Sequence, residues 1–259
     1  MQIVMVYTFD FVNKNILVLG ASGLIARDLI SELLRLKANV IGVDKNPMKD
    51  PRFEHNEKYH HMNLDLTLEK SYIELSEFLT NQFDSKINGL INAVQYKSVN
   101  FFNSISDFTL DEWNSIFYAN VNPIFFVFKY FLDLMKNGKC NIVNFTSTYA
   151  IVSPNPELYE GLNFGSPAAY SASKGAVTAL SRYLAIYYAK FGIRINTVSP
   201  HGVENNHDEK FIENFSKKSP MRRLSKVNEV TPIVLLLLSN LSSYVTASNY
   251  KIDGGWTAW

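Results

Sequence analysis

The chain has very little cysteine, since Cys140 is the only one among its 259 residues. A single thiol excludes an intrachain disulfide and is typical of the reducing cytoplasm, where we expect the protein to be located. Long apolar runs are also missing, because the longest aliphatic stretch, IVLLLL at 233–238, is too short to cross a bilayer. The first fifteen residues lack the basic leader and cleavage site of a signal peptide. We therefore expect no membrane partner.

The chain also has almost no net charge and only five histidines. The 25 lysine and arginine residues against 24 aspartate and glutamate residues leave a net charge of +1. This balance gives no electrostatic reason to expect nucleic acid as a partner. Of the five histidines, His60 and His61 are adjacent and would point to opposite faces of a strand. We therefore predict no metal site.

Short apolar runs alternate with longer helical patterns along the whole sequence. The runs lie at 15–20, 39–44, 59–64, 89–94, 140–146, 193–199 and 249–253. The helical patterns lie near 23–37, 67–82, 108–136, 170–190, 208–218 and 227–238. Continuous apolar runs are typical of strands that are covered on both faces, and their alternation with helices indicates parallel strand pairing. We predict an α/β fold with one doubly wound parallel sheet of about seven strands, helices on both faces and a single domain over residues 1–259.

The first apolar run leads into a glycine turn that opens a helix. In GASGLIA, Gly20 and Gly23 allow the backbone to approach a diphosphate, and the helix start offers N–H groups to it. Asp44 ends the second run, where a carboxylate can accept hydrogen bonds from ribose hydroxyls and repel a 2′-phosphate. The alternative is a solvated aspartate at a strand end. Together these features favour NAD over NADP as a cofactor, although Lys45 could relieve part of the repulsion.

Tyr170 and Lys174 are the large polar residues in the small-residue segment AAYSASKGAV at 168–177. On a helix, positions four apart share a face, with about 5–6 Å between Cβ atoms. A free tyrosine has a pKa near 10, whereas a neighbouring ammonium or a cationic nicotinamide ring favours the phenolate. We expect the pKa of Tyr170 to be lowered by about three units, which requires about 4 kcal/mol. The alternative is an ordinary amphipathic tyrosine beside a surface lysine.

The ordered motifs over residues 10–257 resemble the short-chain dehydrogenase/reductase family, in its compact single-domain branch with a Rossmann-type fold. Tyr170 and Lys174 match its Y-x-x-x-K motif, Ser147 in FTSTYA matches its catalytic serine, and Asn120 matches its helix asparagine. The resemblance implies hydride transfer between an alcohol and a carbonyl, with Tyr170 as the acid/base. It also implies that Ser147 polarises the substrate oxygen and that Lys174 binds the nicotinamide ribose. Asn120 would help to hold a water that links Lys174 to solvent.

The same resemblance implies which residues contact the cofactor. Asp65 could accept a hydrogen bond from the adenine amino group or cap the helix that begins near Thr67. The candidate positions are Gly20, Ser22, Gly23, Leu24, Ile25, Asp44, Asp65, Leu66, Asn92, Ala93, Val94, Tyr170, Lys174, Pro200, His201 and Val203. The family's usual T-G-x-x-x-G-x-G pattern is not met, since Leu24 and Ala26 replace glycines, and Val94 replaces the glycine of N-N-A-G. These departures put the affinity for the cofactor in question.

The candidate substrate contacts are Ser147 and residues of two loops. The segment between Ser147 and Tyr170 is longer than is usual for this branch, and its Glu157 and Glu160 could bind a polar substrate or only keep a loop exposed. His201 could contact the substrate, or face water as a loop histidine. This loop and the ending DGGWTAW resemble bacterial members linked to flagellin glycosylation and nonulosonic-acid sugar pathways, which implies a small, sugar-derived substrate. Two alternatives stay open: a 3-oxoacyl-carrier-protein reductase and a catalytically silent cofactor-binding homologue.

Two predicted helices are apolar on more than one face. They lie within residues 120–136 and 170–190, and helices of this kind need a second partner. In the family that the chain resembles, these helices pair with their copies across a two-fold axis, which implies a homodimer or homotetramer. Trp256 and Trp259 could form a further contact between subunits. The alternative is that both helices are covered within one subunit.

Overall fold

The computed structural model describes residues 8–98, 101–162, 165 and 168–259, so part of the predicted long loop, at 163, 164, 166 and 167, lies outside the described residues. Within these ranges, seven parallel strands form one sheet in the order β3-β2-β1-β4-β5-β6-β7. The strands are β1 Asn15–Leu19, β2 Asn39–Asp44, β3 Tyr59–Asn63, β4 Gly89–Asn92, β5 Asn141–Phe145, β6 Arg194–Pro200 and β7 Asn249–Ile252. The predicted parallel sheet is confirmed. The strand order reverses between β1 and β4, which leaves a crevice at their carboxyl ends.

Seven α-helices connect these strands in the described part of the chain. They are α1 Leu24–Arg35, α2 Glu69–Gln82, α3 Leu110–Tyr130, α4 Leu132–Gly138, α5 Ala168–Tyr188, α6 Glu209–Lys218 and α7 Thr231–Leu238. The predicted helix at 108–136 is in fact two helices, because Phe131 leaves the helical conformation with φ −113° and ψ 8°. The Phe131 side chain at this break is fully buried in the core. None of the helices in the described segments is long and apolar enough to span a bilayer.

Two hydrophobic layers cover the two faces of the sheet. Leu17 and Leu19 of β1 pack with residues of α2, α3 and α5 on one face. Ile16 and Val18 point the other way and pack with residues of α1 and α7. Successive side chains of a strand alternate between faces, so a strand covered on both sides is apolar throughout. This double burial explains the continuous apolar runs, and it leaves the carboxyl ends of the strands as the open edge.

Candidate active site

A cavity of about 760 Å³ opens at the carboxyl ends of the strands. Most of the predicted cofactor positions line it: Gly20, Ser22, Gly23, Leu24, Ile25, Asp44, Asp65, Leu66, Ala93, Val94, Tyr170, Lys174, Pro200, His201 and Val203. Asn92 is not among the described residues of the cavity wall. Its buried Oδ1 accepts a hydrogen bond from the Val94 amide at 3.4 Å and so shapes the turn after β4.

The glycine turn brings the backbone of β1 against the end of β4. Gly20 has φ +81°, and a Cβ added there would lie 2.9 Å from the carbonyl carbon and oxygen of Ala93. Helix α1 begins directly after Gly23, and no side chain among the described residues caps its first turn. Its first N–H groups are therefore available at the cavity wall, which Gly23 and Leu24 line. This arrangement fits the diphosphate of a dinucleotide, whose negative charge the helix dipole also favours.

Two carboxylates lie near the glycine turn. Asp44 accepts hydrogen bonds from the Ser22 amide at 3.1 Å and the Asn46 amide at 2.9 Å, so its carboxylate is held at the cavity edge. Asp65 accepts from the Thr67 amide at 2.9 Å and the Thr67 hydroxyl at 2.7 Å. Burial raises the pKa of Asp65, but the two bonds from Thr67 outweigh it and hold that pKa below its usual value. Asp65 thus shapes the turn ahead of α2 while it lines the cavity.

Ser147, Tyr170 and Lys174 all line this cavity. Ser147 follows β5, whereas Tyr170 and Lys174 lie one turn apart on α5. The Lys174 ammonium lies 5.8 Å from the centre of the Tyr170 ring. Thr146 donates from its hydroxyl to the Lys174 carbonyl at 2.9 Å, which fixes α5 against the end of β5. Three of the four predicted catalytic residues are therefore placed on the cavity wall by one strand end and one helix.

The predicted lowering of the Tyr170 pKa has to be corrected for the folded chain. Burial raises the pKa of Tyr170, and the hydrogen bond with Ser147 lowers it only in part. Lys174 is only 3% exposed, and burial lowers its own pKa to about 8. Its ammonium donates to the Phe145 carbonyl at 2.9 Å and to the Val94 carbonyl at 3.5 Å. Loss of water disfavours the charged form of both groups, and for Tyr170 it outweighs the hydrogen bond with Ser147.

Asn120 lies behind the cavity, outside its described lining. Its Oδ1 accepts a hydrogen bond from the Tyr96 amide at 3.1 Å, and its Nδ2 donates to the Ser173 hydroxyl at 3.0 Å. The Ser173 hydroxyl in turn donates to the Tyr170 carbonyl at 2.8 Å. Asn120 therefore ties the loop after β4 to the part of α5 that carries the tyrosine and the lysine.

His201 lines the cavity, and the alternative that it faces water is wrong. The side chain is only 8% exposed, because its ring packs against Trp256 at 4.5 Å and Phe215 at 5.0 Å between ring centres. A hydrogen bond of 2.7 Å joins its Nδ1 to the Thr148 hydroxyl. Burial lowers its pKa to about 4, so the imidazole is neutral at pH 7. The suggested contact between subunits through Trp256 is wrong for the same reason, since that indole is buried within its own chain.

The expectation for Glu157 and Glu160 also has to be corrected. Of the described residues between Ser147 and Tyr170, Tyr149 and Tyr159 line the cavity, whereas the two glutamates do not. Pro156–Tyr159 forms a 3₁₀ turn that buries Leu158, and Glu157 forms an ion pair with Lys218 of α6. The turn therefore directs Glu157 away from the cavity, towards α6.

Among the cavity residues that received no role from the sequence are Tyr149 and Tyr159. Tyr149 lies two positions after Ser147, and its place in the motif FTSTYA was a usable signal. Tyr159 stands between the two glutamates, but nothing in its local sequence indicates which side chain of that turn faces inward. Within the described residues, no group of three or more histidine, cysteine, aspartate or glutamate side chains could hold a metal ion.

The parallel sheet and its glycine turn define a dinucleotide-binding α/β protein. A family model described as enoyl-(acyl carrier protein) reductase matches residues 20–257. A solved short chain dehydrogenase from Leptospira borgpetersenii with bound NAD+ is 30% identical, with a TM-score of 0.91, and the match covers 99% of this chain and 98% of that chain. The chain therefore belongs to the short-chain dehydrogenase/reductase family, and it is an NAD(P)-dependent oxidoreductase.

Two curated relatives differ in the activity that their names give. The glucose and ribitol dehydrogenase homolog 2 of Arabidopsis thaliana is 33% identical over 198 residues, which are 74% of this chain and 63% of that relative. A 3-oxoacyl-[acyl-carrier-protein] reductase of Buchnera aphidicola is 30% identical over 149 residues, which are 56% of this chain and 57% of that relative. Their similarity to this chain therefore leaves the substrate undetermined.

Proposed function

We propose that the protein is an NAD-dependent oxidoreductase that interconverts an alcohol and a carbonyl on a small, polar, sugar-derived substrate. The observation that carries this proposal is the meeting of Ser147, Tyr170 and Lys174 in the cavity that also contains the glycine turn. Asp44 supports NAD over NADP, because its carboxylate is held at the cavity edge by two backbone amides. An additional 2′-phosphate beside it would be repelled.

In this proposal Tyr170 exchanges the proton with the reacting oxygen of the substrate. Its pKa is raised by burial, which favours the neutral phenol that donates a proton to a carbonyl oxygen. Ser147, which hydrogen-bonds Tyr170, donates to the same substrate oxygen and stabilises its developing negative charge. Lys174 would bind the nicotinamide ribose, and NAD supplies the hydride chemistry when it is bound.

Aromatic side chains support a compact, partly polar substrate. Tyr149, Tyr159 and Phe211 line the cavity together with Tyr170. Aromatic faces cover the apolar side of a small ring compound, and tyrosine hydroxyls can bind its oxygens. The two carboxylates among the described lining residues, Asp44 and Asp65, belong to the cofactor end, so the support for a sugar comes from tyrosines and not from the inserted glutamates. The relative named for glucose and ribitol favours the same substrate class.

The second candidate function is reduction of a 3-oxoacyl-carrier-protein, favoured by the Buchnera relative and by the description of the family model. A panel of sugars, polyols and an acyl-carrier thioester separates the two activities when NADH and NADPH are both supplied. Turnover of the thioester with NADPH alone would contradict the sugar proposal. The narrower resemblance to flagellin-modifying proteins stays a prediction.

Replacement of Tyr170 by phenylalanine tests the assigned acid/base. We expect Tyr170→Phe to lower turnover by at least about a hundredfold, since it removes the proton that reaches the substrate oxygen. Binding of NADH, measured by fluorescence titration, should change little. Tyr244→Phe is the matched control, because Tyr244 is fully exposed and loses the same hydroxyl. Turnover that survives in Tyr170→Phe would mean that another group moves the proton.

We also infer a homodimer or homotetramer that forms through the helices at 120–136 and 170–190. The support is exposure, since Tyr183, Ile186 and Tyr187 lie on the surface of α5 and Phe125 lies on that of α3. Large apolar side chains next to each other on a surface mark an interaction site.

A further inference from the structure

We propose that the Tyr149 hydroxyl, positioned by the Tyr159 hydroxyl, binds a second oxygen of the substrate on a carbon next to the reacting one. This inference rests on the proposed alcohol–carbonyl chemistry and narrows its substrate class. The substrate would be a vicinal diol, or the α-hydroxy carbonyl compound formed from it. Tyr149 is then a specificity-determining residue, and Tyr159 is a positioning residue.

Tyr149 lies next to the reacting groups. It belongs to the 3₁₀ turn Thr148–Ala150, which directly follows Ser147. Its ring centre is 6.5 Å from that of Tyr170, and the two rings are almost perpendicular at 88°. Both side chains line the same cavity. A molecule whose reacting oxygen contacts Tyr170 can therefore reach Tyr149 with its neighbouring carbon.

The hydroxyls of Tyr149 and Tyr159 form a hydrogen bond of 2.7 Å. If Tyr159 is the donor, the proton of Tyr149 is directed to a third group; if Tyr149 is the donor, its oxygen can still accept. A substrate hydroxyl both donates and accepts, so it fits Tyr149 in either case. Burial raises the pKa of Tyr149 and keeps it as the neutral hydroxyl. An alkyl group at the same place would leave the Tyr149 hydroxyl with less hydrogen bonding than in water.

The turn that carries Tyr159 is attached to α6. Leu158 is fully buried, and the Asn214 side chain donates to the carbonyls of Leu158 at 3.3 Å and Glu160 at 3.2 Å. The ring of Tyr159 lies 6.0 Å from that of Phe211 between centres. These contacts fix the Tyr159 hydroxyl before a substrate arrives, which lowers the entropic cost of binding.

Tyr149 is supported from its other side by the buried histidine. Its ring centre lies 5.6 Å from that of His201 at an angle of 68°. The His201 imidazole is itself fixed by its hydrogen bond with the Thr148 hydroxyl, so it supports the ring of Tyr149 from a fixed position. Tyr149 therefore presents its hydroxyl from a rigid position, as a group that distinguishes substrates must.

The test compares trans-cyclohexane-1,2-diol with cyclohexanol as substrates for oxidation by NAD+. Both carry a secondary alcohol, and only the diol has the second oxygen. We expect the wild-type enzyme to prefer the diol, and Tyr149→Phe and Tyr159→Phe each to lower kcat/KM for the diol about tenfold, as expected for one lost hydrogen bond. Turnover of cyclohexanol should fall much less than that of the diol in both variants, and melting curves that match the wild type show that they are folded.

The double variant and a surface control complete this experiment. Tyr149→Phe combined with Tyr159→Phe should cost little more than either change alone, because the two hydroxyls act as one unit. Tyr244→Phe should leave both substrates unaffected. Equal losses on both alcohols, or a wild type that does not prefer the diol, would overturn the inference while the proposed function stands. Turnover of neither alcohol by the wild type, together with no turnover of the sugars and polyols of the panel, would contradict the proposed function itself, and the inference with it.

Discussion

Two titratable side chains of the cavity, Lys174 and His201, are almost removed from water. Lys174 donates to backbone carbonyls, and His201 is bonded to a threonine hydroxyl, so neither has a carboxylate as its hydrogen-bond partner among the described residues. Burial favours the neutral form of both, and for His201 it outweighs the attraction of the Asp253 carboxylate, which acts in the opposite direction. The cavity thus contains two groups whose pKa values are lowered by burial, and perturbed pKa values of this kind are typical of sites that carry out acid/base chemistry.

His201 should make the stability of the fold sensitive to mild acid. Its pKa is about 4 in the folded chain and about 6.5 in the unfolded chain, so the unfolded chain binds more protons between these values. The free energy of unfolding therefore falls as the pH drops from 6.5 to 4, by about 3 kcal/mol from this residue. Urea unfolding of the wild type and of His201→Gln at pH 6.5 and at pH 4 measures this fall in the free energy of unfolding. An equal loss in the variant would show that the histidine is not responsible.

Asp44 should decide between the two forms of the cofactor. We expect NADH to raise the melting temperature of the wild type more than NADPH does, because a 2′-phosphate meets the Asp44 carboxylate. Asp44→Asn removes the charge, keeps an acceptor for the Ser22 amide, and should bring the two shifts close together. The thermal shift with each cofactor at one concentration checks this. A larger shift with NADPH in the wild type would reverse the assignment.

At the level of the elements, the turn between β1 and α1 is the most constrained part of the cofactor site. Gly20 has a positive φ and lies against the backbone of Ala93 and Val94, so an added methyl group meets main-chain atoms that cannot rotate away. Val94, which replaces the family's usual glycine, lines the cavity at the end of β4 and is compatible with this close approach. The turn therefore keeps its tight geometry without the usual glycine pattern.

Gly20→Ala should weaken binding of NADH at least about tenfold, because the turn has to open to relieve the contact of the added Cβ with the Ala93 backbone. An alanine with a positive φ also costs about 1–2 kcal/mol of conformational energy. Gly175→Ala is the matched control. Gly175 is a residue of helix α5, and a Cβ added to it meets no described atom within 4 Å outside the backbone of that helix. Gly175→Ala should raise the free energy of unfolding by about 0.5–1 kcal/mol. Fluorescence titration and melting curves give both quantities. Undiminished NADH binding by Gly20→Ala would mean that the turn is not part of the site.

For the whole molecule, the outer surface of α5 is the main candidate for an interface. Ile186 is 69% exposed, between the similarly exposed Tyr183 and Tyr187. We expect light scattering to give a mass of two or four times the chain mass of 29.5 kDa. Ile186→Glu should shift it towards the monomer, because burying an unpaired carboxylate is costly. Tyr244→Glu, at a fully exposed site, should leave the mass unchanged. A monomeric wild type at micromolar concentration would contradict the proposed assembly.

The amino-acid sequence by itself determined the parallel sheet of about seven strands, the glycine turn with Asp44, and the approach of Tyr170 to Lys174. Each of these follows from local information: apolar runs covered on both faces, a turn that only glycine adopts easily, and two positions one helical turn apart. The seven strands and the cavity wall lie where these patterns indicate.

Only the tertiary structure decided the charges in the cavity and the side chains that face the substrate. Burial by distant segments raises the pKa of Tyr170, against the expectation from its spacing to Lys174, and it lowers the pKa of Lys174. Tyr149 and Tyr159 come together because two turns pack against each other, and His201 becomes a core residue because aromatic rings from two other segments cover it. Desolvation and packing between remote segments have no local signature, so they appear only once the chain is folded.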